Sequence, residues 1–409
     1  NTSTSPRFLI IRCLNRDQCG GLSDRIKPVL AFIAIAAHTK RVLMIRWERP
    51  YPLEEFLVPN EINWTVPYYM VEELNQNPNP RQPNMKGMNS VSKIYVAGRR
   101  IKKVLRTVQH TVLETKIQSG DGGSTFYVCV IETMFGNQDI EVNTTGTYEH
   151  CDQLRHRFVD QESQQKANEV YKSIYHDFFR SVFKPHPNVQ RLITKRMIDS
   201  GLVAGQFIGA HFRSNYGLGK ADLIGVENIV QSAKAQVRCA ARMRPGYPVY
   251  FAGDSATVLN AVRHESKLLL LHKNITIITP PPPFKNIINN ASKRDEEGNE
   301  VEKSPLHIEF DKGSIDEFYP VFVDLLVMGQ SMCQSYGVGG FGTFASMLSY
   351  NASCYYSTLK CEGGESYYLP KEKCCMHGMY YKKPHSYKQR EAFKLAAKKT
   401  AATKTKAAA

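Results

Sequence analysis

FIGAHFRSNYGLGK, residues 207–220, is the stretch around which this chain is organised. Its apolar first half predicts a buried strand from Gln206 to Phe212, and its second half is rich in the glycine and asparagine of turns. Arg213 is therefore expected at the carboxyl end of a strand, where open α/β sheets bind their ligands. Because the planar guanidinium matches phosphate oxygens, our working hypothesis is that this loop holds a phosphate-bearing sugar donor.

A second strand is expected over residues 248–253, with Asp254 and Ser255 at its carboxyl end and a helix beginning at Ala256. An aspartate in this position either caps the helix that follows or accepts a hydrogen bond from a bound nucleotide. Both readings of Asp254 stay open from the sequence.

A third strand, Met332–Tyr336, runs into the glycine-rich turn 337-GVGGFGT-343, and a helix is expected from Phe344. The N–H groups at the start of a helix bind anions, especially where glycines allow the backbone to approach a ligand. This turn is the best phosphate cradle in the sequence.

The first part of the chain, residues 7–45, has the order strand, glycine turn, helix, strand that begins a Rossmann-type unit. Gly20 and Gly21 form the turn, which either cradles a phosphate or only allows the helix to pack closely. Neither G-x-G-x-x-G nor a P-loop is present. Asp24 and Arg25 follow the turn and are expected to face any cleft.

The length of 409 residues is enough for two domains. We expect an N-terminal Rossmann-like domain over residues 1–200, a second over 201–361, and a cysteine-containing segment with a basic Ala/Lys tail over 362–409. The formal net charge of +15 favours anionic partners, although general solubility and a solvated tail explain it equally well.

The cysteines and glycosylation sequons point to a lumenal or extracellular protein. Ten cysteines form an even count, and six Asn-x-Ser/Thr sequons accompany them, at Asn1, Asn63, Asn143, Asn274, Asn290 and Asn351. A cluster near the end is expected to form disulfides rather than bind zinc, because it lacks paired C-x-x-C knuckles; it contains Cys354, Cys361, Cys374 and Cys375. We expect residence in the lumen of the secretory pathway, in the ER or Golgi.

The longest apolar run, Val29–Ala37, is too short to cross a bilayer. Since the chain also starts on a polar segment without Met, we expect membrane attachment only through an anchor outside this sequence. No nucleic-acid partner is expected.

Four blocks of this sequence, in this order, resemble the GDP-fucose fucosyltransferase superfamily, which includes α1,6-, protein O- and bacterial nodulation fucosyltransferases. The resemblance extends over about 7–351, and 208-IGAHFR-213 is similar to the family motif G-x-H-x-R. The other blocks are 20-GGLSDR-25 with its helix and next strand, 249-VYFAGD-254, and 324-DLL-326 with the glycine turn that follows. The chain departs from some relatives at Ser214, where they carry a second basic residue, and in the last turn, where glycines replace serines.

The resemblance implies an α/β protein of GT-B type, with two Rossmann-like domains facing across a cleft and GDP-fucose held by the second. It implies that Arg213 contacts the β-phosphate, that His211 lies near the donor, and that Asp254 and Asp324 position the nucleotide. The other residues expected at the donor are Gly20, Gly21, Arg25, Asn215, Ser255, Gly339, Gly340, Phe341 and Thr343. The catalytic residues expected are Arg213 and, as candidates for the general base, Asp222 and Asp24.

The reaction so implied is inverting transfer of fucose from GDP-fucose to a hydroxyl of a glycan or protein acceptor, without a cofactor. The sequence contains no Asp-x-Asp, which favours a metal-independent route in which Arg213 and helix-start N–H groups take the diphosphate charge. Two alternatives remain. One is a catalytically inactive carbohydrate- or polyanion-binding protein on the same fold, and the other is a transferase that uses another nucleotide sugar.

Overall fold

The computed structural model describes residues 7–15, 19–38, 40–76, 91–95, 112–116, 175–214, 226–273, 276–280, 304–309, 311–337, 339–352 and 354–357. The strands in these ranges are β1 Phe8–Cys13, β2 Val42–Trp47, β3 Leu57–Pro59, β4 Val91–Tyr95, β5 Val112–Lys116, β6 Phe183–Pro185, β7 Ile208–Phe212, β8 Val249–Gly253, β9 Ile277–Ile278, β10 Cys333–Tyr336 and β11 Tyr355–Ser357. The helices are α1 Leu22–Ile26, α2 Val29–His38, α3 Tyr68–Gln76, α4 Pro187–Asp199, α5 Val226–Met243, α6 Ala256–Lys273, α7 Ile315–Met328 and α8 Gly340–Leu348. Residues 53–55 form a 3-10 turn and residues 175–182 are helical.

The first sheet is parallel and, within the described ranges, has the strand order β2-β1-β5-β4. β1 is central and almost entirely buried, as its apolar run predicts for a parallel strand covered on both faces. The single helix expected after the glycine turn is instead two, α1 and α2, because Pro28 lies between them and has no N–H to continue the helical bonding.

The second sheet is also parallel, and the described strands have the order β11-β10-β7-β8-β9. The chain passes from β7 to β8 and β9 on one side, then returns through β10 on the other side of β7. α5 and α6 pack over one face through the apolar cluster that contains Ala210, Phe251 and Val262. The strand order therefore reverses between β7 and β10, which defines a topological switch point.

One apolar cluster contains residues of both halves, so the two sheets share a core on one side. The ring of Phe56 stacks on that of Phe322 in α7, with centroids 4.2 Å apart. Tyr175 meets Phe344 of α8 edge to face at 5.5 Å. These contacts hold the two parallel sheets in one arrangement and confirm the expected α/β fold with two Rossmann-like units.

Disulfides occur in both halves, between Cys13 and Cys19 and between Cys333 and Cys354. The expected disulfide is thus confirmed at Cys354, whereas the other three cysteines of that cluster lie outside the described residues. The boundary near residue 200 and the segment 362–409 stay predictions. Among the helices that the structure describes, none is both long and apolar enough to span a bilayer.

Candidate functional site

The candidate site lies at the switch point, where the carboxyl ends of β7 and β10 meet. His211 of β7 is in register with Tyr336 of β10, and Arg213 is the first residue after β7. The side chain of Arg213 lies against Gly339: a Cβ added to this glycine would stand 2.9 Å from Cδ and 3.2 Å from Nη1 of the arginine. The guanidinium is thereby placed at the glycine turn that precedes α8.

The helix after the glycine turn begins at Gly340, not at the expected Phe344, so the turn itself forms the start of α8. Its N-cap, Gly339, has a φ of 102° and provides no capping side chain. The buried Nδ1 atom of His211 stands 3.2 Å from the Cβ position of Gly342 and has no hydrogen-bond partner among the described residues. Helix-start N–H groups and an unpaired buried imidazole nitrogen together favour a bound ligand at this point.

Burial strongly lowers the pKa of His211, to about 4; Asp254 opposes this effect and the nearby charge of Arg213 adds to it. The ring packs on Phe341, with centroids 4.9 Å apart. His211 is therefore a neutral imidazole at pH 7.

Asp254 follows β8, two residues before α6, and its carboxylate is oriented by Ser214. Its Oδ1 accepts hydrogen bonds from the backbone N–H and the hydroxyl of Ser214, both at 2.6 Å. The N–H of Ala256 at the start of α6 is instead capped by the Ser304 hydroxyl at 3.1 Å. Ser214, the departure from the second basic residue of some relatives, thus orients the acidic residue of the neighbouring strand.

The first half reaches this site through α1. A Cβ added to Gly340 would overlap the Ser23 hydroxyl and would stand 3.7 Å from Nζ of Lys27. Burial lowers the pKa of Lys27, and Asp24 opposes that shift. The loops at the carboxyl ends of β1 and β10 therefore face each other, and Lys27 brings a second cation beside the start of α8.

The glycine turn of the first half is occupied by its own hydrogen bonds. The Gly21 N–H donates to Oδ2 of Asp24 at 3.0 Å, and the Gly20 carbonyl accepts from Nε of Arg25 at 2.8 Å. The alternative reading, a tight turn that allows close packing, fits these contacts. Gly20, Gly21 and Asp24 thus bond within the turn itself. The sequence analysis predicted the two glycines at the donor and Asp24 as a candidate general base.

Arg25 was expected at the donor, but the structure uses it to join the two halves. Its guanidinium is fully buried, lies over the Trp47 ring at 4.7 Å, and pairs with Glu309 through an Nη2–Oε2 contact of 2.6 Å. It also donates to the carbonyls of Arg49 and Ile308. Burial lowers the pKa of Arg25 to about 10, and the Glu309 carboxylate opposes that shift.

Asp324 was expected near the nucleotide and lies elsewhere, close to the amino ends of the second sheet's strands. Its Oδ1 pairs with Nη1 of Arg196 at 2.9 Å and accepts from the Tyr250 hydroxyl at 2.6 Å. Burial raises the pKa of Asp324, opposed by the charge of Arg196. The network connects α4, β8 and α7, and it explains this aspartate without a ligand.

The remaining expected residues have different placements. The Thr343 hydroxyl turns back toward the Gly339 carbonyl at 3.5 Å, and Ser255 is buried as the residue before α6. Asn215 and Asp222 lie outside the described residues.

Three residues at or beside the site, Lys27, His307 and Glu309, were missed by the sequence reasoning. Lys27 had a usable signal, since it lies four residues after Ser23 and thus on the same side of a helical turn. His307 and Glu309 follow a polar insertion in which no local pattern marks them. Nε2 of His307 stands 3.6 Å from the Cβ position of Gly21, which places this imidazole between the two halves.

Chemically, the site combines two cations and a helix start, which can bind a phosphate or diphosphate. In the ranges given above, no group of three or more His, Cys, Asp or Glu side chains is arranged to hold a metal ion.

No protein-family model and no curated protein matches this chain. Solved structures do. A mutant of FUT1 from Arabidopsis thaliana, in complex with GDP, is 10% identical with a TM-score of 0.49. The match covers 85% of this chain and 70% of the FUT1 chain. The Bradyrhizobium α-1,6-fucosyltransferase NodZ, soaked with GDP-fucose, is 13% identical with a TM-score of 0.44. The match covers 84% of this chain and 93% of NodZ.

A UDP-GlcNAc 2-epimerase from Methanocaldococcus jannaschii, solved with UDP-GlcNAc and UDP, is also similar, with 12% identity and a TM-score of 0.26. The match covers 84% of this chain and 82% of the epimerase. At these identities and TM-scores the similarity concerns the course of the chain and assigns no substrate and no residue role to this protein.

Proposed function

We propose that this protein transfers a sugar from a nucleotide-diphosphate donor, GDP-fucose, to a hydroxyl of a glycan or protein acceptor. One observation carries the proposal: Arg213 lies at the switch point, against the start of α8, while the other half brings Lys27 to the same place. A diphosphate matches this arrangement in charge, and it can accept hydrogen bonds from the guanidinium and the helix-start N–H groups.

The charges at the site support a route without a metal. Arg213 and Lys27 offset the negative charge of a departing diphosphate, and the first N–H groups of α8 add donors of fixed direction. A hydrogen bond to a charged group contributes about 1.5–3 kcal/mol. Full turnover in EDTA is therefore expected.

The choice of GDP-fucose among nucleotide sugars rests on the four sequence blocks that resemble GDP-fucose fucosyltransferases. Of the solved proteins named above, FUT1 was solved in complex with GDP and NodZ after soaking with GDP-fucose. For this chain, a transferase using another nucleotide sugar is the nearest alternative.

The proposed step is a direct displacement. The acceptor oxygen forms a bond to C1 of the sugar as the bond from C1 to the phosphate oxygen breaks, and GDP leaves with that electron pair. The acceptor proton passes to a base, and the configuration at C1 inverts. Arg213 and α8 stabilise the charge that develops on the leaving oxygen.

One observation favours the second candidate, an inactive carbohydrate- or polyanion-binding protein. Asp24, a candidate base, already accepts the Gly21 N–H in its own turn. Asp222 remains a proposed base and lies outside the described residues. An inactive protein needs no base, and it would bind a polyanion through the same cations.

A thermal-shift series with GDP, UDP, CMP and heparin separates these candidates, since a ligand that binds only the native state raises the melting temperature. The proposal predicts stabilisation by GDP and not by the other nucleotides. Stabilisation by heparin alone would favour the inactive binder, and stabilisation by UDP would favour the other donor.

We also propose that the protein works in the lumen of the ER or Golgi. Two disulfides support this location. The two sequons in the described ranges, at Asn63 and Asn351, are exposed and accessible to glycosylation. A mobility shift on treatment with an N-glycosidase, after expression through a secretory pathway, tests the proposal.

A further inference from the structure

His307 lies where the two halves meet at the candidate site. Its Nε2 atom stands 3.6 Å from the Cβ position of Gly21 in the first half. From the second half, Arg213 and Asp254 are close enough for their charges to act on its pKa. The residue thus faces the glycine turn of the first half, whose Ser23 lies against the start of α8.

The protonation state of His307 follows from its backbone contact. Nδ1 accepts a hydrogen bond from the backbone N–H of Glu309 at 3.2 Å, so Nδ1 carries the lone pair. A neutral imidazole with its lone pair on Nδ1 carries its proton on Nε2. The atom that points toward Gly21 is therefore a hydrogen-bond donor.

Burial, with the charge of Arg213, favours the neutral form of this imidazole. Burial and then Arg213 lower the pKa of His307, Asp311 and Asp254 oppose them, and Arg25 adds to the lowering. Protonation of Nδ1 would also remove the acceptor for the Glu309 N–H. The ring is thus neutral at pH 7, with Nε2–H as its only N–H.

The segment that holds His307 is fastened to both halves. The Glu309 carboxylate pairs with Arg25 and accepts from the Cys19 N–H at 3.2 Å, while Arg49 donates to the Glu309 carbonyl. On the other side, the Ser304 hydroxyl accepts a hydrogen bond from the backbone N–H of Ala256 in the second half at 3.1 Å. A donor held in this way needs little reorganisation to meet a ligand, which is the condition for electrostatic catalysis.

We propose that His307 donates a hydrogen bond from Nε2 to a phosphate oxygen of the sugar donor and stabilises the leaving diphosphate. This rests on the proposed function and adds a residue to it. When the bond from C1 to the phosphate oxygen breaks, the electron pair stays on that oxygen and the Nε2 proton stays on His307. The acceptor proton goes to a different group, so His307 is not the general base.

Two near-isosteric variants separate this role from the alternatives. His307→Gln places an amide N–H near the position of Nε2 but loses the acceptor for Glu309. His307→Asn keeps an acceptor near Nδ1 and loses the donor. We expect His307→Asn to lower kcat for GDP-fucose about 100-fold with an unchanged melting temperature. His307→Gln should keep most of the wild-type kcat.

The pH profile gives a second readout. Because protonation of Nδ1 leaves the Nε2–H in place, turnover of the wild type and of His307→Gln should follow parallel curves as pH drops through the lowered pKa of His307. The opposite ranking, an active Asn variant and an inactive Gln variant, would show that the residue only shapes its turn. Equal loss in both would indicate a base or another role that needs the imidazole, and would overturn the proposal.

The wild type separates this proposal from the proposed function. If the wild type neither binds GDP nor consumes GDP-fucose, the proposed function fails and this inference fails with it. If the wild type does both and His307→Asn matches it, only the role of His307 is overturned.

Discussion

Gly339→Ala is the perturbation that reports most locally on the contact between Arg213 and the start of α8. Gly339 has a φ of 102° and a ψ of 165°, a region that is open essentially to glycine alone. A Cβ there would stand 2.9 Å from Cδ and 3.2 Å from Nη1 of Arg213. The new methyl group therefore strains the backbone and pushes the guanidinium away from the helix start.

Two separate effects follow. The backbone conformation costs about 1–3 kcal/mol of folding stability in any residue with a Cβ. Displacement of Arg213 removes a charge-assisted hydrogen bond worth about 1.5–3 kcal/mol, which corresponds to roughly 10–100-fold weaker binding of GDP. The loss of stability and the loss of affinity are measured independently.

Gly246→Ala is the matched control, because Gly246 has a φ of 88° and no atom within 4 Å of its Cβ position. It should lose a similar amount of stability in urea unfolding and keep its affinity for GDP in calorimetric titration. If Gly339→Ala binds GDP within about 2-fold of Gly246→Ala, at temperatures where both are folded, the contact with Arg213 has no part in binding.

Three further perturbations test the packing and charges around the site. Glu309→Gln leaves the buried cation of Arg25 without its counter-charge and should destabilise the protein by about 3 kcal/mol in urea unfolding; a change below about 0.5 kcal/mol would deny the pair that role. The pKa of His211 is lowered from 6.5 to about 4, so the unfolded chain takes up a proton there before the native protein does as pH falls. Stability should fall between pH 6.5 and 4 by up to about 3 kcal/mol more in the wild type than in His211→Asn, and parallel curves would contradict this. Replacing Cys333 and Cys354 by alanine opens a disulfide with a sequence separation of 21 and should cost about 3 kcal/mol, again measured in urea.

The second half of the fold could be predicted because its signals are local. β7, β8 and β10 appear as apolar runs that end in polar or glycine residues, and the structure places all three side by side. The position of Arg213 after β7 follows from that pattern alone. The start of α8 was predicted too late because a glycine-rich sequence reads as a loop, whereas here it forms the first helical turn.

The roles of several polar residues could not be predicted, since they depend on partners far away in the chain. Arg25 meets Glu309 across 284 positions and Asp324 meets Arg196 across 128, and these pairs connect distant parts of the fold. His307 reaches Gly21 because its segment pairs with the first half through Glu309 and Arg25. No pattern within a few residues contains this information.

Turnover of GDP-fucose by Arg213→Ala, measured beside the wild type in EDTA, tests whether this guanidinium stabilises the leaving diphosphate. We expect the wild type to consume the donor without added metal and the variant to be at least about 100-fold slower while its urea unfolding is unchanged. Near-normal turnover by Arg213→Ala, or a strict requirement of the wild type for a divalent cation, would contradict it.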